Sequence, residues 1–142
     1  MAIHTERLQA IIDEKLKPVV KKVDEQAFYA EEYILALGEE GFFNSNAKSE
    51  ATILQDEATV VLETAKVCMT TAFCVWCHLA ALTYIRHSHN SYLKSNILPK
   101  LENGELLGAT GLSNPMKYYS GLEKLHIKKK KVDGGYRING IL

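Results

Sequence analysis

Three residues near the middle of the chain have types and spacing that can do chemistry: Cys74, Cys77 and His78, in the run Cys74-Val75-Trp76-Cys77-His78. C-x-x-C-H is the pattern of covalent haem attachment. On a helix the three side chains share one face, where they could converge on a metal. Against this, the run sits in mid-helix within an apolar stretch, with no export signal ahead of it and no fourth ligand at a fixed spacing. His87 and His89 are available only elsewhere. A buried free cysteine behaves as a small hydrophobe, so core packing is the favoured reading and no metal site is predicted. Lys128 to Lys131 are the next candidates, for nucleic acid. Alternate lysines of a strand face opposite sides, which fits a solvated edge guarded against strand pairing, and no aromatic interleaving accompanies them. Asp56, Glu57 and Glu63 read as ordinary solvated helix charges. His4 and His126 have no evident partner, and Met69 and Met116 need only packing explanations.

The elements that position these residues are helical over the first hundred residues. Ile3, Leu8, Ile11, Ile12, Leu16, Val19 and Val20 recur at helical spacing, with Pro18 ending or kinking that helix. Asp24 is the predicted N-cap of a second helix through Phe28, Tyr33, Ile34 and Leu37, which stops at Gly38 to Gly41. A polar connection follows, with Ser49 or Thr52 as the next N-cap. The third helix carries Ile53, Leu54, Ala58, Val61, Leu62, Ala65 and Met69 on its apolar side. From Met69 the pattern is apolar nearly all round, through Phe73, Val75, Trp76, Leu79, Leu82 and Ile85, as expected in the middle of a bundle. A bend is expected near Thr70 and Thr71. Arg86, His87 and His89 suit the negative end of that helix. Asn90 or Ser91 caps a short helix whose pattern ends at Pro99.

After Asn103-Gly104 the period changes. Leu106 to Leu112 is Gly-rich and runs into Ser113-Asn114-Pro115, a turn signal. A strand is predicted from Leu122, Leu125 and Ile127 through the lysines to Val132. Asp133-Gly134 is the strongest hairpin signal, and Tyr136, Ile138 and Ile141 alternate beyond it. A hairpin alone is a marginal sheet, so the β part is expected to be incomplete, cut at Asn139-Gly140-Ile141-Leu142. The reading is mainly α: a helical domain over residues 1–104, then a partial β-domain over 105–142.

Composition is that of a globular chain: 142 residues, 46% hydrophobic and 24% charged. Seventeen basic and seventeen acidic residues balance overall. Residues 115–142 nevertheless hold seven Lys/Arg against two Asp/Glu, and the first 114 hold ten against fifteen. Such a split marks a change of structural unit, and the basic part can favour an anionic partner. The longest apolar stretch, Ala72 to Ile85, is too short and too polar for a membrane span. Three closely spaced cysteines do not suggest a disulfide framework, and with no secretory signal a cytoplasmic chain is expected.

The order of these features resembles one family. Helix, helix, helical hairpin, then ILPKLENGELLGATGLSNP, a basic strand and VDGGYRING is similar to the N-terminal half of the acyl-CoA dehydrogenases. Their Leu-Pro-x-Leu-x-x-Gly-Glu segment leads to a flavin-binding Leu-Thr-Glu-Pro loop, and Tyr-x-(Ile/Leu)-Asn-Gly follows. GEEGFF is similar to the family's helix end. The resemblance implies a helical bundle of the acyl-CoA dehydrogenase type followed by the first strands of an incomplete flavin-binding β-domain. It implies FAD as cofactor, with the backbone of Leu112 and the hydroxyl of Ser113 on the flavin's polar edge. Thr110 would line the acyl pocket or the ring, and Ser120 would meet the pyrophosphate or the CoA moiety. The lysine run is then a further candidate for the phosphates of CoA. Asn114 stands where the family has Glu, and Met116-Lys117-Tyr118-Tyr119 replaces a Gly-rich stretch. The family's catalytic glutamate lies in a C-terminal helical bundle, so no catalytic residue is assigned here. The expected function is that of an N-terminal fragment or truncated homologue of an FAD-dependent acyl-CoA dehydrogenase, without activity alone. Its substrate by resemblance is an acyl-CoA thioester, and its protein partner is a second copy or a complementary C-terminal half. No nucleic acid is expected. The alternative is a non-catalytic helical interaction module or one half of a split dehydrogenase.

Overall fold

A computed structural model describes residues 5–141; Ile3, His4 and Leu142 lie outside the described residues. The chain divides into two compact units, Met1–Ala109 and Thr110–Leu142. The architecture is mostly helical, with one antiparallel pair of strands at its C-terminal end, in agreement with the expected fold class.

The first unit opens with α1 (Thr5–Ile11), continues through a π-helical turn (Ile12–Leu16) and a 3-10 turn (Lys17–Val19), and runs on into α2 (Val20–Gln26). Pro18 therefore does not end the helix. A proline in a helix loses one hydrogen bond and collides with the carbonyl four residues back. Here Lys17 N–H instead bonds to Ile12 O, five residues back, which widens the turn just before the ring. The same solution recurs at Pro99. A π turn over Leu93–Ile97 ends with Leu98 N–H on Leu93 O, and the helix continues past the proline as Leu98–Glu102. Asn90 caps this helix, its Oδ1 accepting from Leu93 N–H at 3.3 Å. Asp24 is not an N-cap but an exposed residue inside α2, which ends at Ala27 in the left-handed region. Phe28 falls in the exposed connection that follows. The next helix, α3 (Glu31–Glu39), starts after Ala30 with no side-chain cap.

Ser49 does cap α4 (Glu50–Ala65), accepting from Thr52 N–H at 3.2 Å. The break before α5 (Met69–Arg86) falls at Lys66–Cys68, just ahead of Thr70. Cys68 Sγ accepts there from the amide and hydroxyl of Thr71. The face of α4 differs from expectation. Asp56, Val60 and Thr64 are buried, whereas Leu54, Leu62 and Met69 are exposed. Polar residues point inward because each finds a partner: Asp56 takes Lys48 Nζ at 2.8 Å and Thr64 takes the Tyr33 hydroxyl at 2.6 Å. Burial pushes the Tyr33 phenol up to about 12. Nor is α5 enclosed: Phe73, Trp76 and Tyr84 are exposed while Val75, Leu79 and Leu82 are buried.

The core of this unit gathers Leu8, Ile12, Leu16, Tyr33, Leu37 and Phe43 with Val60, Val75, Leu79 and Leu82. Gly38 and Gly104 let α3 meet the end of α6 (Leu98–Glu102). A Cβ on Gly38 would stand 2.4 Å from Gly104 N, and Gly104 itself has φ +81°.

In the second unit the Ser-Asn-Pro signal opens a helix, α7 (Ser113–Tyr119), rather than a turn. Pro115 falls in its first turn, where no N–H donor is required. Met116 lies exposed on it, without a packing role, as Met69 does in the first unit. Leu122 to Ile127 form turns and irregular backbone, and the strand begins only at Lys128. Then β1 (Lys128–Val132) pairs with β2 (Gly135–Asn139) from Lys128↔Asn139 to Val132↔Gly135. Asp133-Gly134 makes the hairpin turn, with Gly134 at φ +77°. Every residue of β1 is exposed, which agrees with a solvated lysine run.

Candidate functional site

His78 anchors the segment that leads into the expected flavin loop. It is buried on α5, and its Nε2 donates to Leu101 O at 3.1 Å while Nδ1 accepts from Gly108 N–H at 3.0 Å. Those two bonds fix the neutral tautomer with the proton on Nε2. Burial pushes its pKa below the usual histidine range, and the Arg86 charge acts in the same direction. The Phe43 ring lies 4.6 Å from the imidazole. Gly108 is held so close that a Cβ there would stand 2.6 Å from that of Ala81. His78 of the C-x-x-C-H run is thus committed to two backbone groups. Cys74 and Cys77 are half-buried free thiols, and no group of three His, Cys, Asp or Glu among the described residues is arranged to hold a metal.

Thr110, Leu112 and Ser113 follow as parts of one loop and the first residue of α7. The Leu112 amide and the hydroxyls of Thr110 and Ser113 have no hydrogen-bond partner among the described residues, and Leu112 and Ser113 are exposed. Ser120 caps the other end of α7, its N–H bonded to Met116 O at 3.0 Å. Seven residues are two helical turns, about 10 Å at 1.5 Å per residue, so Ser113 and Ser120 face the same side. The loop thus carries, on consecutive residues, an amide and a hydroxyl without a hydrogen-bond partner among the described residues.

Asn114 ties the start of α7 to the segment ahead of β1. It is buried; its amide donates to Glu123 Oε1 at 2.8 Å and Lys124 O at 2.9 Å, and its Oδ1 accepts from His126 N–H at 3.0 Å. Its bond to Glu123, helped by Lys117 and His126, holds that carboxyl below the usual range. His126 therefore has partners after all: Asn114 at its amide and Glu123 at 3.8 Å from its ring. The signal in the sequence was the Asx residue at the start of a helix, which readily bonds backbone amides.

The carboxylates of α4 are not solvated as expected. Asp56 is buried against Lys48, and Glu57 pairs with Arg86. Arg86 also donates from Nη2 to Phe43 O at 2.8 Å and keeps Nε 3.5 Å from Glu102. Glu102 accepts in turn from the Ser45 amide and hydroxyl. Glu63 is partly covered and pairs with Lys66 at 2.6 Å. Alongside, Leu54, Val61, Leu62, Trp76, Ala80 and Tyr84 line an open apolar groove of about 580 Å³ between α4 and α5. No described helix is long and apolar enough to cross a membrane.

Residues 4–105 match the protein family described as "Acyl-CoA dehydrogenase, N-terminal domain". No curated protein matches the chain.

Proposed function

The chain belongs to the acyl-CoA dehydrogenase family, and from that premise we propose that it serves as the N-terminal part of an FAD-dependent enzyme that dehydrogenates acyl-CoA thioesters. In this reading residues 1–104 are the helical domain and 105–142 begin the flavin-binding β-domain. The observation that supports it is the loop before α7, where the Leu112 amide and Ser113 hydroxyl, on consecutive residues, have no hydrogen-bond partner among the described residues.

These two groups bond the polar edge of the flavin, Thr110 lines the acyl pocket or the ring, and Ser120 meets the pyrophosphate or the CoA moiety. Bound flavin supplies the hydride acceptor, and the protein supplies donors that orient and tune it. By the family resemblance the catalytic base belongs to a C-terminal helical bundle, and Asp56, Glu57 and Glu102 are held in ion pairs. The open apolar α4–α5 groove suits cover by such a region. A cytoplasmic location fits this role.

FAD titration followed by flavin absorbance tests the reading. The chain alone is expected to bind weakly, and addition of a C-terminal dehydrogenase fragment to give tight binding. Ser113→Ala then weakens FAD binding by up to about tenfold, the loss of one hydrogen bond worth roughly 0.5–1.5 kcal/mol. Tight stoichiometric binding by the monomer alone rules out the claim that the site is incomplete. An unchanged affinity in Ser113→Ala removes the loop assignment.

The exposed α4–α5 groove supports a second reading, a non-catalytic module that pairs with another chain through this helical face. The two readings separate on whether the complex, once formed, takes up flavin.

A further inference from the structure

The segment that leads out of the first unit is tied down by one polar bond. From Leu107 to Leu112, the Gly108 amide is the one backbone N–H with a hydrogen-bond partner among the described residues, and that partner is Nδ1 of His78 at 3.0 Å. Leu107 packs against the core beside it. A Cβ on Gly108 would stand 2.6 Å from that of Ala81, so the backbone lies directly on α5. The two ring nitrogens of His78 act differently. Nε2 donates to Leu101 O at 3.1 Å and ties α5 to α6, and it can donate from the neutral and the charged ring alike. Nδ1 accepts only in the neutral ring. Once protonated, it would aim an N–H at the Gly108 N–H, donor against donor, at a residue that is 1% exposed.

No carboxylate among the described residues bonds to the ring. On α5, Arg86 disfavours a cation there, and Cys74, one turn earlier, has its thiol pushed up by burial and stays neutral. On α4, Glu57 is paired with Arg86 and Asp56 with Lys48. On α6, Glu102 accepts from the Ser45 amide and hydroxyl and lies 3.5 Å from Arg86 Nε. Lys94 and Lys100 are exposed, and Glu105 is exposed and takes the Asn103 amide at 2.6 Å. The segment at Phe43 presents a ring, 4.6 Å away. A charged imidazole is therefore relieved by movement, and its two sides are unequal: the Leu101 bond survives and the Gly108 bond does not.

We propose that His78 is a pH-sensitive clasp: a proton taken from solvent at Nδ1 drives off Gly108 N–H and frees the segment around it from α5, while the bond from Nε2 keeps α5 on α6. All the groups involved lie within the first unit, and the inference is independent of the flavin reading. In that reading, Gly108 anchors the near end of the Thr110–Ser113 loop, so acid loosens the donors offered to the cofactor.

Amide exchange in the full chain tests this, read residue by residue by NMR and expressed as protection factors so that the intrinsic effect of pH is divided out. As pH falls below the ordinary histidine value of 6.5, protection at Gly108 should drop by up to about tenfold per pH unit, the limit for one linked proton. Protection at Val75 and Leu79 should hold. His78→Gln keeps an acceptor and a donor but does not titrate, so its Gly108 protection should not vary with pH. A measurement that needs no variant is the ring 15N shift at about pH 7.5, which should place the proton on Nε2. A proton on Nδ1 overturns the proposal, since that ring offers Gly108 no acceptor. Constant Gly108 protection down to about pH 5 overturns it too. So does loss at Gly108, Val75 and Leu79 together, which is unfolding of the whole unit, or the same fall in His78→Gln, which puts the proton elsewhere.

Discussion

The two compact units hold themselves together by different physics. Through Ala109, side chains from α1 to α6 interlock around Leu8, Ile12, Tyr33, Leu37 and Phe43, and the buried polar residues among them are paired. From Thr110 onward, Asn114 is the one buried residue among those described, and Leu122, Tyr119 and Ile141 are 77%, 84% and 85% exposed. Hydrophobic burial stabilises the first unit at about 25 cal/mol per Å². In the second, one asparagine's hydrogen bonds and a two-stranded ribbon stand in for a core, and such a ribbon is marginal by itself. A core tolerates few changes but needs no partner. A unit without one depends on single bonds and gains from whatever covers it.

The contrast predicts where single substitutions act. The largest effect is expected at Arg86, whose loss leaves the buried Glu102 and the partly buried Glu57 with uncompensated charge. Arg86→Ala should cost about 3–5 kcal/mol in urea-induced unfolding. A cost under about 1 kcal/mol would mean that the first unit does not rest on this network. Asn114→Ala comes next. It removes three hydrogen bonds and leaves the His126 amide without its acceptor, at a cost on the order of 1–3 kcal/mol borne by the second unit. Hydrogen exchange should show protection lost at His126 and kept at the Val75 and Leu79 amides. Loss of protection in both would break the comparison.

The contrast also explains what the sequence disclosed. Helical periodicity locates the elements of the first unit, and the family motifs single out the Thr110–Ser113 loop. Periodicity misassigns the faces, however, because it counts apolar residues and cannot see partners. Asp56 and Thr64 point inward through Lys48 and Tyr33, and both partners lie outside α4. Pro18 and Pro99 read as helix ends because the π turns that absorb them leave no composition signal. Ser113-Asn114-Pro115 carries turn chemistry that serves equally well to start a helix. For the proposed flavin loop, only the resemblance points to Leu112 and Ser113; nothing in their residue types marks them.

A smaller effect probes the first unit through His78. Its pKa is depressed in the folded chain from an ordinary value of 6.5, so the unfolded chain binds the proton more readily. Its contribution is fully present above about pH 6.5 and is lost as pH falls toward the depressed folded value. Protonation of Nδ1 would also remove the acceptor for Gly108 N–H. The stability lost between about pH 7.5 and about pH 5.5 should therefore be larger for the wild-type chain than for His78→Gln. Urea unfolding at the two pH values measures that difference, expected to be on the order of 1 kcal/mol for one amide left without its acceptor. Equal losses in the two chains would show that the imidazole is not what titrates.

The smallest effect sharpens the account of the second unit. In a protein with a core, exchanging one exposed strand residue is nearly silent; in a ribbon held by ten residues, the cross-strand pair is a sizeable share of what holds it. Lys130 faces Arg137 directly, so Lys130→Glu turns repulsion into attraction. It should stabilise the hairpin by about 0.2–1 kcal/mol, read as slower exchange of the amides in β1 and β2. The gain should shrink at about 1 M salt, where exposed charges are screened within about 3 Å. Unchanged exchange of these amides in Lys130→Glu would show that the Lys130–Arg137 repulsion does not limit the ribbon.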